Sequence, residues 1–115
     1  MNLEIIIPSD EPVRLLNAVT EELDYRRLTA TYSRLGRNEY SPRLLFKIVL
    51  YGCLRGMFAT REMERGCREN VNFMYLLEGH RPPDHNTIAR FRKEHLPYAV
   101  EDLLNQMVKL LVQWG

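Results

Sequence analysis

Only two of the 115 residues are cysteine, Cys53 and Cys67, and they stand in no paired spacing. A disulfide framework is therefore excluded, and both are expected as small core residues in a reducing cytosol. With His80, His85 and His95 they form no finger-type spacing, so no zinc site and no other cofactor is expected. Long apolar runs are missing too. The most hydrophobic stretch, Leu44 to Leu54, is interrupted by Lys47 and falls short of the ~20 residues that a spanning helix needs. The opening MNLEIIIPSDEP has neither a basic leader nor a small-residue cleavage site, which argues against a secretory signal. No glycine-rich phosphate loop occurs. A surplus of one charge is also lacking. Sixteen basic residues stand against fifteen acidic, which excludes a uniformly cationic tail.

What is present is an ordinary globular composition, 45% hydrophobic and 27% charged. A chain this long is expected to form one domain over residues 1–115 and to bury about two-thirds of its unfolded surface. The charge is uneven along it. Residues 1–30 carry three basic and six acidic side chains, whereas residues 31–100 carry twelve basic and seven acidic. The central excess is mostly arginine, whose planar fork suits phosphate and guanine.

Apart from Leu3 to Ile7, which reads as a short extended segment, the spacing predicts helices throughout. The expected fold is all-α, a bundle of about five or six helices. Ser9 or Asp10 is expected to cap the first long helix, with Pro12 in its first turn and Leu15, Leu16, Val19 and Leu23 on its apolar stripe. Tyr25, Leu28, Tyr32 and Leu35 continue on a shifted stripe, as one bent helix or two joined near Asp24. Gly36-Arg37-Asn38 is a stop signal and Ser41-Pro42 a restart. The next helix is apolar on nearly every side, as in the centre of a bundle, with Arg43, Lys47 and Arg55 on one polar side. Thr60 is expected to cap a helix with Met63 and Cys67 inward. Arg61, Arg65 and Arg68 share its outer face, with Glu62, Glu64 and Glu69 as their partners.

Asn70 stops that helix or caps the next, which is expected to bury Phe73, Met74 and Leu77 and to close at Gly79. Arg81-Pro82-Pro83 forms a stiff connector. Asp84 then caps a helix with Ile88, Phe91 and His95 inside and His85, Asn86, Ala89, Arg90 and Lys93 outside. Residues 98–114 form a clean amphipath through Val100, Leu103, Leu104, Met107, Leu110, Leu111 and Trp114.

No nucleophile lies beside a base and no carboxylates cluster, so no catalytic residue is expected. The stronger candidate is a helix-turn-helix-like pair, the helix begun at Thr60 and the one begun at Asp84, looser than the standard motif because a third helix intervenes. Short groups at the leading end (His85, Asn86 and Thr87) are placed to reach base edges. Arg90 and Lys93 behind them, with Arg61, Arg65 and Arg68, are placed to hold phosphates.

The run from Tyr32 to Arg37, then Tyr40-Ser41-Pro42, the stretch LLFKIVLYGCLRGMFATREMERGCRENVNFMYLLEG, and the segment from Arg81 to Arg92 resemble the N-terminal domain of bacterial insertion-sequence transposases of the DDE class. The most telling pieces are the SPR-LL-K---YG---G helix, the T/S-R-hE---REN helix, in which h is a hydrophobic residue, and the PDH-TI-RFR helix. The resemblance covers residues 20–96 in order. It implies a helical DNA-binding region that recognises terminal inverted repeats and precedes a ribonuclease-H-like catalytic domain. The three catalytic carboxylates of that class belong to the following domain; Asp84 matches the PDH motif and takes no catalytic role. The chain is thus expected to be no enzyme by itself, but an excised domain or the remnant of a truncated element. Its expected partners are duplex DNA at transposon ends, the catalytic domain in cis, and a second copy through helix 98–114. No membrane contact is expected, and the expected location is the cytoplasm, at the bacterial nucleoid. The alternative expectation is an assembly module without specific DNA recognition.

Overall fold

Proline, glycine and side-chain caps set most of the element boundaries. The computed structural model describes residues 3–32 and 40–115, with Glu4 and Ile5 described by backbone alone. In chain order the helices are α1 (Leu3–Ile6), α2 (Pro12–Glu21), α3 (Arg26–Thr29), α4 (Pro42–Leu54), α5 (Thr60–Glu69), α6 (Val71–Leu77), α7 (His85–Arg90) and α8 (Val100–Trp114). A π-helical turn, Phe91–His95, and a 3₁₀ turn, Leu96–Tyr98, join α7 to α8. No strand occurs among the described residues, so the all-α expectation holds.

The extended segment expected at Leu3 to Ile7 is instead one helical turn, closed by Ile7 N–H donating to Leu3 O at 3.0 Å. Consecutive isoleucines favour a strand only where another strand can pair with them. Here Ile7 is buried, and the carbonyls of Ile7 and Pro8 accept from the Arg14 guanidinium at 2.7 and 3.0 Å. Pro12 opens α2 as expected, but the residue before it is Glu11, so neither Ser9 nor Asp10 is the cap. On α2, Leu16 and Val19 are buried while Leu15 is exposed. The joint near Asp24 separates two helices. The Asp24 carboxylate accepts the backbone N–H of Arg26 at 2.9 Å and so starts α3. The expected stop at Gly36-Arg37-Asn38, and Leu35, lie outside the described residues.

Helix α4 is the centre of the core. Leu44, Leu45, Phe46, Ile48, Val49 and Tyr51 are all buried, and Tyr25 and Phe73 meet Phe46 and Tyr51 edge-on at ring-centroid distances of 6.1 and 5.1 Å. Its polar side is divided. Arg55 is exposed, but Lys47 is fully buried, with its Nζ donating to Asn17 Oδ1 at 2.7 Å and to Glu21 Oε1. Arg43 joins the same cluster through Glu21 and, at 3.2 Å, Glu78 Oε1. Hydrogen bonding to Arg43 holds the Glu78 carboxyl below its ordinary value. Cys53 is exposed, against the expectation of a core residue; it sits one position beyond Gly52, on the outward side of the last turn.

Asn70 ends α5 and caps α6, its Oδ1 accepting Asn72 N–H at 2.8 Å. Helix α6 buries Phe73, Leu76 and Leu77, and Met74 is only half-buried. Gly66 of α5 lies against Phe73. A methyl group there would come within 2.8 Å of the ring. Gly66→Ala is therefore expected to destabilise the domain by about 1–3 kcal/mol, through overpacking of a closed contact. Urea unfolding checks this, and an unchanged midpoint would show that the ring yields freely.

Helix α8 is held most firmly at its beginning, and Met107 and Leu110 continue its contact with the core as half-buried residues. Leu103 is buried, and Gln106 clamps the α2–α3 joint: its Oε1 accepts Asp24 N–H at 2.7 Å and its Nε2 donates to Asp24 O at 3.0 Å. Leu104 (43% exposed), Val108, Leu111 (42%) and Trp114 (48%) face away from the core.

Candidate nucleic-acid interface

Helix α5 begins at Thr60, with Ala59 in the cap position, so Thr60 is the first helical residue and not the cap. At about 100° per residue, Arg61, Arg65 and Arg68 fall within about 60° of each other on the side opposite Met63 and Cys67. Met63 and Cys67 are fully buried and the three arginines exposed, as the spacing requires. Of the carboxylate partners expected for them, Glu64 reaches Arg68 at 3.5 Å. Among the described residues, no carboxylate lies within ion-pair distance of Arg61 or Arg65.

Helix α7 is capped by Asp84, whose Oδ1 accepts Thr87 N–H at 2.7 Å. That backbone hydrogen bond, first among the causes, holds the Asp84 carboxyl below its ordinary value. A lowered folded-state pKa means that the cap's contribution is fully present above the ordinary aspartate value and is lost as the pH falls below that value through the lowered one. Asp84→Ala is expected to cost about 1 kcal/mol at neutral pH. Thermal melts at stepped pH check it: the gap between variant and parent should close in acid, and a constant gap would remove the carboxylate from the explanation.

Ile88 is buried beneath α7, and Asn86, Ala89, Arg90 and Lys93 are exposed on its outer side. His85 departs from the expected outer group. It is half-buried and faces α5, with Nδ1 3.4 Å from Glu64 Oε2, buried and without a hydrogen bond. One residue of spacing turns a helical side chain by about 100°, so His85 and Asn86 do not share a face. Thr87 is half-buried beside the cap.

Three contacts fix how α5 and α7 lie. His85 meets Glu64 in the middle of α5. Arg68 lines the same hollow as Asp84 and Thr87, with Tyr40, Arg81 and Pro82 completing it. At the other end, Arg92 donates from Nη1 to the carbonyl of Phe58, just before α5 begins. The two helices therefore run side by side in opposite directions, with α7 ending where α5 starts. Beneath them, the Phe91–His95 turn buries Phe91 and stacks His95 on Tyr32 at 3.7 Å, with Thr31 Oγ1 2.8 Å from His95 Nδ1. His95 is a satisfied inner histidine.

The cysteine of this region offers no nucleophile. Burial, with the Glu64 charge, pushes the Cys67 thiol up to about 12, so it stays protonated at neutral pH. Among the described residues, no three His, Cys, Asp or Glu side chains gather as a metal site, and no helix is long and apolar enough to cross a membrane. Sequence spacing missed the roles of Arg92, Phe58 and Lys47. Phe58 carried a weak signal, since it is a large aromatic residue in a glycine-started loop between two arginines; Arg92 and Lys47 are placed by contacts distant in sequence.

The family model described as Transposase domain (DUF772) matches residues 1–94, which include every candidate DNA-contacting residue named above. No curated protein and no solved structure matches the chain. A match over that share of a 115-residue chain, on the helices that the sequence motifs marked, makes this protein a member of the transposase-domain family.

Proposed function

We propose that this domain binds duplex DNA for a transposase of the DDE class and recognises the terminal inverted repeats of its element. In this reading α5 and α7 act as a helix-turn-helix-like pair. The carrying observation is the antiparallel packing of two helices whose outward sides hold Arg61, Arg65 and Arg68 on one and Asn86, Arg90 and Lys93 on the other. Asn86, at the leading end of α7, takes the base-reading role, since an amide pairs two-pronged with adenine; Arg90, Lys93 and the α5 arginines hold phosphates. His85 and Thr87, half-buried, support α7 from its inner side and contribute at the groove edge. The catalytic domain follows in cis, this domain performs no cleavage of its own, and its working location is the bacterial nucleoid. Titration with element-end and random duplexes over a range of salt tests the reading. Binding should weaken steeply with salt. Asn86→Ala should narrow the preference for element ends by about 1–3 kcal/mol, while Arg90→Ala should weaken both duplexes alike. Equal binding of both duplexes by the parent chain would end the claim of recognition.

A second reading rests on the exposed apolar side of α8: there Leu104, Leu111 and Trp114 cover a second copy of the chain, and the domain serves assembly. Sedimentation decides it. A concentration-dependent dimer that Leu104→Glu or Leu111→Glu abolishes supports assembly, and a monomer unaffected by either change removes it.

A further inference from the structure

The loop between α4 and α5 holds a large aromatic side chain out in water and keeps it there. Phe58 is 61% exposed. Its neighbour Met57 is its opposite, half-buried against the core, with its N–H donating to Gly52 O at 2.8 Å. Gly56, at φ +76°, makes the turn that lets Met57 fold in while Phe58 is carried outward. From the other side Arg92 grips the Phe58 carbonyl. Two backbone anchors and one half-buried neighbour thus fix a loop whose tip is apolar.

The surroundings of that tip are cationic. Residues 53–61 carry Arg55 and Arg61 and no carboxylate, and Arg92 is bound directly to the tip. Arg61 begins the arginine side of α5, and Arg90 ends α7 two residues before Arg92. An apolar ring with Arg55 and Arg61 three residues to either side and Arg92 on its own carbonyl is poorly matched to a hydrophobic protein patch, which would strip water from those charges. It is well matched to nucleic acid, where cations meet phosphates and an aromatic ring meets the face of a base. Asn86 is at the leading end of α7 and Arg92 lies just beyond its other end, so Phe58 stands toward the far end of α7 from the base-reading position.

We propose that Phe58 is a wedge that stacks on, or inserts between, the bases of duplex DNA bound across α5 and α7. This rests on the DNA-binding reading above and adds a contact to it. Unstacking one step costs free energy, which stacking on the ring and closer approach of the flanking arginines offset. The wedge therefore favours sites with an easily opened pyrimidine–purine step beside the bases that Asn86 reads.

The test uses the full chain carrying Phe58→Trp in a Trp114→Phe background, so that position 58 holds the only indole. Duplex DNA should quench its emission at the same concentrations at which binding occurs. In the otherwise unaltered chain, Phe58→Ala should weaken binding by about five- to a hundredfold, the range for loss of one aromatic–base stack, with no change in melting temperature because the ring touches little of the protein. If the parent chain binds no DNA, the functional reading itself fails. If the parent binds, but the indole emission of the Phe58→Trp chain is unchanged and Phe58→Ala binds as tightly, the wedge alone is overturned. It is equally overturned if Phe58→Ala leaves DNA affinity intact but dissolves a dimer seen by sedimentation.

Discussion

Replacing Arg61, Arg65 and Arg68 together by glutamine is expected to weaken duplex binding about a hundredfold at physiological salt. The slope of log affinity against log salt should flatten by about 2.7, because each phosphate contact contributes about 0.9 through counterion release. The fold should survive. All three side chains lie opposite the buried Met63 and Cys67, and the 3.5 Å contact of Arg68 with the half-buried Glu64 is long and one-sided, since the Arg68 side chain is itself 62% exposed. Glutamine keeps the long aliphatic stem and helix propensity while removing the charge. The loss should be the same for element-end and random duplexes, which separates this prediction from the Asn86 change, where preference moves more than affinity. Unchanged affinity together with an unchanged slope would take α5 away from the DNA and leave α7 to bind alone.

Glu21→Ala is expected to be the most damaging single polar change. The Lys47 ammonium has no exposed surface and rests on Asn17 and Glu21. Removing the carboxylate leaves a buried charge with one neutral acceptor, a loss of about 3–5 kcal/mol. For a domain of this size that lowers the melting temperature by roughly 10–20 °C. Lys47→Met should cost far less, under about 1.5 kcal/mol, since it fills the space without a charge and returns Glu21 to Arg43 and water. The pair of changes should then be milder than Glu21→Ala alone, a strongly non-additive cycle measurable by calorimetry. Additive effects would show that the ammonium finds water when Glu21 is gone.

Lys47 also shows where sequence spacing stops being informative. Its spacing groups it with Arg43 and Arg55, and that grouping is geometrically sound. It does not say that α2 lies across the first two and leaves Arg55 in water, because the partner carboxylate is 26 residues away in sequence. His85 is a different case: the rotation from His85 to Asn86 was available from helix geometry alone, and only the approach of Glu64 explains which of the two turns inward. In α8 a broad apolar arc was evident, but its division into an inward side at Leu103, Met107 and Leu110 and an outward side at Leu104, Val108 and Leu111 depends on how the helix is laid on the core, where Gln106 ties it to the α2–α3 joint.

The local events were written in the chain itself. Pro12 and Pro42 each open a helix because the missing N–H has no partner there anyway, Asp84 caps one because its short carboxylate reaches back to the backbone, and the 3.6-residue period alone puts Met63 and Cys67 under α5 and its arginines outside. The isoleucine run near the start became a helical turn because a strand needs a neighbour that no local pattern supplies. Tertiary packing alone set α5 against α7 in opposite directions, buried Lys47, and held Phe58 out beside Arg92. Those outcomes depend on side chains meeting across tens of residues, and periodicity carries no information about which face finds which partner.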